Sequence, residues 1–124
     1  MSVTFYGRRP DRETIALDLE DPAYLNMASG NARAFLLFLG LQPGDDLCGE
    51  CTLSEARRAI IRARATFDRR VGGFTQGGSD TKRPGRCRVI AGGIGEGYFA
   101  RRIDDFERFL NVVAEKGARS IWWA

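Results

Sequence analysis

The segment from Tyr98 to Lys116 constrains the fold of this chain more than any other part of the sequence. Its apolar residues recur at three- and four-residue spacing, which is the period of one face of an α-helix. That buried stripe consists of Phe99, Ile103, Phe106, Leu110 and Val113, and the opposite side carries Asp104, Arg108 and Glu115. We expect Asp104 and Arg108 to form an ion pair four residues apart. A helix with one apolar face needs a layer to pack against, so a layered fold is predicted.

A shorter helix is predicted over residues 30–39, "GNARAFLLFL". It is apolar almost all round, which indicates a helix buried on most sides, with Leu37 pointing nearly opposite to Phe35. Ser29 or Asn31 is expected to cap its start, since their side chains accept hydrogen bonds from free N–H groups. Gly40 fits the left-handed position after its last turn.

A third helix is predicted over residues 53–70. Thr52 and Glu55 have the spacing of a capping box, in which each side chain binds the other residue's backbone N–H. One face is apolar and comprises Ala56, Ile60, Ala63 and Phe67. The opposite face carries a basic stripe of Arg58, Arg62 and Arg69, which is either an ordinary solvated face or a surface for nucleic acid.

The remaining patterns predict short strands. Residues 2–6, 87–90 and 120–123 have strand composition, and residues 13–20 alternate apolar and polar side chains. Residues 72–86 are rich in glycine and basic residues and predict a mobile loop. Together these elements predict one α+β domain over residues 1–124, in which three helices pack on a small, mostly antiparallel sheet.

Histidine is absent from all 124 residues. Catalytic arrangements built on Ser/His/Asp or Cys/His are therefore excluded within one chain, as are metal sites built on imidazole. We expect a protein that is not an enzyme and holds no cofactor. The N-terminal residues do not read as a secretory signal, and no apolar run is long enough for a membrane span, which favours the cytoplasm.

The charge is distributed unevenly along the chain. Residues 57–102 hold 12 Lys and Arg against 3 Asp and Glu, a net charge of +9, whereas the rest holds 7 against 13, a net charge of −6. This asymmetry predicts a basic surface for an anionic partner, although solvated arginines would give the same pattern.

Four of the six residues from Gly92 to Gly97 are glycine, in "RCRVIAGGIGEGYFARR". Counted from Gly93, the sixth position of a dinucleotide fingerprint is Tyr98, too bulky for close helix–sheet packing, and no second βα unit follows. The stretch is either a hinge or a donor-rich approach to a helix N-terminus that holds a phosphate or carboxylate. The predicted ligand-binding residues are Arg86, Arg88, Gly93, Gly95, Gly97, Tyr98, Arg101 and Arg102, with Tyr98 stacking on the ligand.

The sequence "CGEC" places Cys48 and Cys51 directly before the second predicted helix. A helix N-terminus lowers the pKa of a thiol, so a redox pair is one reading. Cys87 would be a third ligand in the metal reading, although no second Cys-x-x-Cys is present. The third reading is that these are small buried residues.

Three further features bear on binding to a protein or a ligand. Asp45, Asp46 and Glu50 form an acidic loop, which we do not assign to catalysis. Trp122 and Trp123 point to opposite faces of a terminal strand, so that a patch centred on Trp123 is one candidate interface. The polar residues Asn26, Ser29 and Asn31 surround a helix start and serve either as caps or as a contact rim.

The patterns "LNMASGNARAFLLFLGL" and "GYFARRIDDFERFLNVVAEKGARSIWW" resemble a group of uncharacterised small bacterial and phage proteins. The shared features are an Asn-centred helix start, a Leu-Gly-Leu helix end and a C-terminal Ile-x-Trp-like strand. The resemblance implies a compact cytosolic protein and assigns no catalytic residue. Small phage proteins often act by binding, either to a host enzyme or to a signalling nucleotide.

The sequence therefore predicts a non-catalytic, cytosolic binding protein for an anionic, nucleotide-like ligand, of a sequestering or anti-defence type. Three alternatives stay open: a protein-binding inhibitor or immunity-type module, a nucleic-acid-binding protein, and a Cys-x-x-Cys redox or metal protein. The oligomeric state is open as well, a homo-oligomer included.

Overall fold

A computed structural model describes residues 1–76 and 96–124, and the side chains of residues 1–66 and 97–124. The strands in these ranges are β1 (Ser2–Arg8), β2 (Thr14–Ile15), β3 (Asn26–Ala28), β4 (Gly49–Thr52) and β5 (Ser120–Trp123). The helices are α1 (Ser29–Leu39), α2 (Leu53–Gln76) and α3 (Glu96–Glu115), and a 3₁₀ turn covers Asp45–Leu47. The chain is an α+β protein, as the sequence predicts.

The strands form one sheet in the order β2-β1-β5-β4, with β3 also paired to β1. Every described pairing is antiparallel. The first and the last strand therefore lie side by side at the centre, with Tyr6 directly opposite Trp122. β2 and β3 share the other edge of β1, because β3 pairs with residues 2–4 and β2 with residues 7–8.

The core lies on one face of this sheet. Alternate residues of the central strands point into it, including Phe5 of β1 and Trp123 of β5, both at most 1% exposed. All three described helices contribute buried residues to the same cluster. Residues on the other face of the sheet are half-buried or exposed, so the described part of the molecule is a two-layer structure with one open sheet face.

The predicted helix end of α1 at Gly40 is confirmed, whereas the predicted side-chain cap at its start is wrong. Gly40 has a φ of 82°, and the backbone N–H groups of Gly40 and Leu41 donate to the carbonyls of Leu37 and Leu36, which is a Schellman motif. Neither Ser29 nor Asn31 caps the helix, because β3 runs directly into it and the Ser29 N–H bonds to the Met1 carbonyl instead.

The prediction that α1 is buried on most sides is wrong. The side chain of Leu37 is 57% exposed, whereas Phe35 is fully buried. The buried residues of the helix are Ala32, Phe35, Leu36 and Leu39, so only one of its faces meets the core.

The capping box at the start of α2 is confirmed. The Thr52 N–H donates to the Glu55 carboxylate at 2.8 Å, and the Glu55 N–H donates to the Thr52 hydroxyl at 3.0 Å. The apolar face is buried at Ala56, Ile60 and Ala63. The helix continues to Gln76, six residues beyond its predicted end, and so takes in the first residues of the predicted loop over 72–86. The rest of that loop lies outside the described residues, as do the side chains of Phe67 and Arg69.

Helix α3 has the predicted stripe, and all five of its members are buried. The predicted ion pair between Asp104 and Arg108 is wrong. Asp104 accepts from Arg64 of α2 at 2.8 Å, and Arg108 pairs with Asp105 at 3.3 Å. Contact between α2 and α3 brings Arg64 to this face, and the three-residue spacing places Asp105 beside Arg108.

Of the strand predicted over 13–20, only Thr14 and Ile15 pair with β1. The chain then turns, because the Asp21 N–H donates to the Asp18 carbonyl, and Leu19 is left 78% exposed. The predicted strand over 87–90 lies outside the described residues. No helix within the two described ranges is long and apolar enough to cross a membrane.

Candidate functional site

Four of the eight predicted ligand-binding residues lie in the first two turns of α3: Gly97, Tyr98, Arg101 and Arg102. The other four, Arg86, Arg88, Gly93 and Gly95, lie outside the described residues. The geometry of the candidate site is therefore that of the N-terminal end of α3.

The centre of this site is the half-buried ring of Tyr98, which packs edge-on against Phe99 with centroids 6.0 Å apart. The guanidinium of Arg101 lies 5.8 Å from the Tyr98 ring centroid and that of Arg102 lies 5.7 Å from it. At these distances the electron-rich ring face attracts both cations. An aromatic surface and two positive charges are thus held together where the helix dipole is also positive.

Arg102 already has protein partners. Its guanidinium donates to the Asp105 carboxylate at 2.9 Å and to the Asn26 carbonyl at 2.7 Å, and its side chain is only 18% exposed. Arg102 of α3 therefore forms a hydrogen bond to the backbone of β3. In this position it contributes charge to the site but has little freedom to bind a ligand directly.

Arg101 differs from its neighbour because it is exposed and has no carboxylate within ion-pairing distance among the described residues. The nearby acids have other partners: Asp104 binds Arg64, and Asp105 binds Arg102 and Arg108. A cation whose neighbouring acids are already paired is available to an incoming anion.

The predicted basic stripe on α2 is exposed at Arg58 and Arg62, and the side chain of Arg69 is not described. Two other arginines of α2 bind α3 instead: Arg57 donates to Asn111 at 3.0 Å, and Arg64 binds Asp104 and Glu107. Only part of the basic charge of this helix therefore faces solvent.

The two described cysteines are free thiols in different settings. Cys48 is exposed. Cys51 lies on β4, and burial, together with the Glu55 and Glu50 carboxylates, raises its pKa to about 12. That shift is opposite to the one expected for a thiol activated by a helix N-terminus, because burial and the two neighbouring carboxylates disfavour the thiolate. Cys87 lies outside the described residues, and within them no three Cys, Asp or Glu side chains are placed to hold a metal ion.

The acidic residues divide between two elements. Asp45 and Asp46 lie in the 3₁₀ turn, whereas Glu50 lies on β4 and pairs with Arg8 of β1 at 3.2 Å. Asn26 donates to the Thr4 hydroxyl at 2.8 Å, so it links β3 to β1. These contacts give Glu50 and Asn26 structural roles across the sheet.

The prediction of an interface patch centred on Trp123 is wrong, because Trp123 is 1% exposed and its indole N–H donates to the Pro43 carbonyl at 2.8 Å. The outward tryptophan is Trp122, whose ring stacks on Tyr6 with centroids 4.4 Å apart. The guanidinium of Arg8 lies 5.3 Å from the Trp122 ring centroid. Sequence reasoning missed Tyr6 and Arg8: strand alternation shows that they face outward, but not that they meet Trp122.

Comparison of the chain with known protein families, with curated proteins and with solved structures finds no match. The resemblance to small bacterial and phage proteins stays a prediction.

Proposed function

We propose that this chain is a non-catalytic, cytoplasmic binding protein for an anionic, nucleotide-like ligand, which binds at the N-terminal end of α3. Tyr98 stacks on the base or another flat group of the ligand, and Arg101 binds its phosphate. Arg102 holds the Tyr98 ring in place and adds positive charge.

The observation that supports this proposal is the juxtaposition of Tyr98 with an exposed Arg101 that has no carboxylate partner in residues 1–66 and 97–124. A planar aromatic ring beside a guanidinium matches the two chemical parts of a nucleotide, because the ring packs on the base and the guanidinium forms charge-assisted hydrogen bonds to phosphate oxygens. The net charge of +9 over residues 57–102 attracts such a ligand to this part of the chain.

The test is calorimetry and thermal shift with nucleoside mono- and triphosphates and cyclic dinucleotides, with inorganic phosphate as the probe for simple anion binding. We expect at least one nucleotide to bind more tightly than phosphate. Arg101→Ala is expected to weaken that binding about tenfold or more, as the loss of a charge-assisted hydrogen bond does. Tyr98→Leu is expected to weaken it as well, whereas Tyr98→Phe keeps the ring and most of the affinity.

The matched control is Arg119→Ala, which removes an exposed arginine beyond the other end of α3. Residues 101 and 115 of this helix are about 21 Å apart at 1.5 Å per residue, and Arg119 lies beyond residue 115, so it is remote from the site. Absence of binding across the whole panel would contradict the proposal, and so would equal losses in Arg101→Ala and Arg119→Ala.

A further inference from the structure

The open face of the sheet carries a cluster that the proposed function does not use. Tyr6 of β1 and Trp122 of β5 lie directly opposite each other and stack, and Glu50 of β4 lies opposite Trp122 on its other side. Arg8 lies over the Trp122 ring and pairs with Glu50. We call Tyr6, Arg8, Glu50 and Trp122 the outer-face cluster.

Trp, Tyr and Arg are the residue types enriched at energetic centres of protein interfaces. Here Tyr6 and Arg8 both contact the Trp122 ring, which lowers the side-chain entropy that remains to be lost on binding. The residues around them are polar and could form the rim of an interface: Ser2, Thr4, Thr14, Asn26, Thr52 and Ser120.

The outer-face cluster has unused hydrogen-bond donors. The Nε of Arg8 and the Nε1 of Trp122 are buried and have no acceptor within the described part of the chain. There, Arg8 binds Glu50 through a single nitrogen at 3.2 Å, which leaves most of its N–H groups without an acceptor. Unpaired buried donors are costly, and an acceptor brought by a partner would remove that cost once the Arg8 side chain shifts.

The size of the face limits what can occupy it. Four strands about 4.8 Å apart and a central strand of seven residues at about 3.3 Å each span about 440 Å². A stable interface between globular proteins needs about 800 Å² from each partner. This face is therefore too small for a stable dimer of the chain and is large enough for an extended peptide segment.

Charge distinguishes single-stranded nucleic acid from a peptide as the occupant of this face. Arg8 and Glu50 pair with each other, so the face lacks the basic groove that single-stranded nucleic acid requires. A carboxylate offers acceptor oxygens for the unpaired N–H groups of Arg8 and Trp122, and the chain as a whole has a net charge of +3.

We propose that the outer-face cluster is a docking site for an acidic peptide segment of a protein partner. A peptide carboxylate accepts hydrogen bonds from Arg8 and from the Trp122 indole, and a neighbouring apolar side chain packs against the Tyr6 and Trp122 rings. The surface is separate from the Tyr98 site on α3.

The probe is a phage-displayed library of random twelve-residue peptides selected on the full chain, followed by synthesis of the enriched sequences. We expect Asp or Glu beside apolar residues to be enriched. Trp122→Ala and Arg8→Gln are expected to weaken binding at least tenfold. Leu37→Ala, which alters an exposed apolar residue of α1, is expected to change it less than twofold.

Nitrogen–proton NMR supplies a readout that does not depend on these variants. The chain has two indole N–H groups, and that of Trp123 already donates to Pro43. We expect the selected peptide to shift the Trp122 indole signal and to leave the Trp123 signal in place. This outcome is available even if Trp122→Ala fails to fold.

Several results would overturn the proposal: no enrichment, enrichment of peptides without acidic residues, binding that survives Arg8→Gln, or an unmoved Trp122 indole signal. Displacement of the peptide by oligo(dT) from this face would assign it to nucleic acid, and concentration-dependent dimers lost in Trp122→Ala would assign it to a second copy. A failure here leaves the nucleotide experiment on Arg101 unaffected, because the variants do not overlap.

Discussion

Gly49 has no side chain, and this leaves the space that Trp123, the largest fully buried side chain of the core, occupies. A Cβ atom built on Gly49 would lie 2.6 Å from Cζ2 of Trp123 in the adjacent strand. Trp123 fills that space, is 1% exposed and contacts the ring of Phe5, with centroids 5.8 Å apart. The requirement for glycine here comes from close packing and not from backbone conformation, since any Cβ would displace the indole.

We expect Gly49→Ala to lower the free energy of unfolding by about 1–3 kcal/mol, because it forces atoms into a filled core. Gly30→Ala is the matched control: Gly30 lies in α1, and a Cβ there has no neighbour within 4 Å. Replacing a helical glycine with alanine removes an entropic cost, so this variant is expected to gain up to about 1 kcal/mol. Urea denaturation measures the free energy of unfolding of both variants, and similar values for the two would contradict the close packing of Gly49 against Trp123.

At the scale of elements, the reciprocal bonds between Thr52 and Glu55 set the start of α2 where the chain leaves β4. These bonds to Thr52 lower the pKa of the Glu55 carboxyl below its ordinary value. The carboxylate therefore supports the helix start above the ordinary Glu pKa, and this support disappears as the pH falls through the lowered value.

We expect Thr52→Ala to lower the free energy of unfolding by about 1 kcal/mol, because the Glu55 N–H loses its acceptor. Ser54→Ala is the control, since Ser54 is an exposed hydroxyl residue two positions further on and alanine favours the helix. Thermal and urea unfolding at neutral pH distinguish them. A loss in Ser54→Ala as large as that in Thr52→Ala would count against the capping role.

Elements fixed by local chemistry could be predicted from the sequence. The stripe of α3, the capping box and the Gly40 helix end depend on residues within four positions of one another. Features that depend on residues far apart in the chain could not be predicted from the sequence. Arg64 reaches Asp104 only because α2 packs on α3, and Tyr6 meets Trp122 only through the register of β1 with β5. The two candidate binding surfaces differ in the same respect. Tyr98 and Arg101 are neighbours on one helix and could be predicted together, whereas the outer-face cluster joins residues of three strands and could not.

For the molecule as a whole, the thiol of Cys51 links stability to pH. Folding raises its pKa from the ordinary 9.0 to about 12. An unfolded chain thus releases this proton near pH 9, whereas the folded chain retains it. The contribution of Cys51 to stability is present below pH 9 and declines as the pH rises toward 12.

We expect the free energy of unfolding of the unmodified protein to fall more steeply between pH 8.5 and 10.5 than that of Cys51→Ala. The difference in slope stays below about 1.4 kcal/mol per pH unit, because one thiol releases at most one proton. Cys48→Ala alters an exposed thiol and is expected to keep the steeper slope. Urea titrations at several pH values measure this, and parallel slopes for all three proteins would refute it.

The pairing of β1 with β5 also bears on how the chain is made. Tyr6 and Trp122 are neighbours in space, yet the ribosome joins 115 residues between them. Phe5 and Trp123 contact each other in the core, so that core cannot close before residue 123 has been made and has left the ribosome. The helices form early, because their contacts are local, whereas the pairing of β1 with β5 must wait for residues 120–123 to emerge from the exit tunnel. Until then one edge of β1 lacks its partner strand and Phe5 lacks its contact with Trp123. A nascent chain stalled before Ser120 should therefore be a substrate for chaperones.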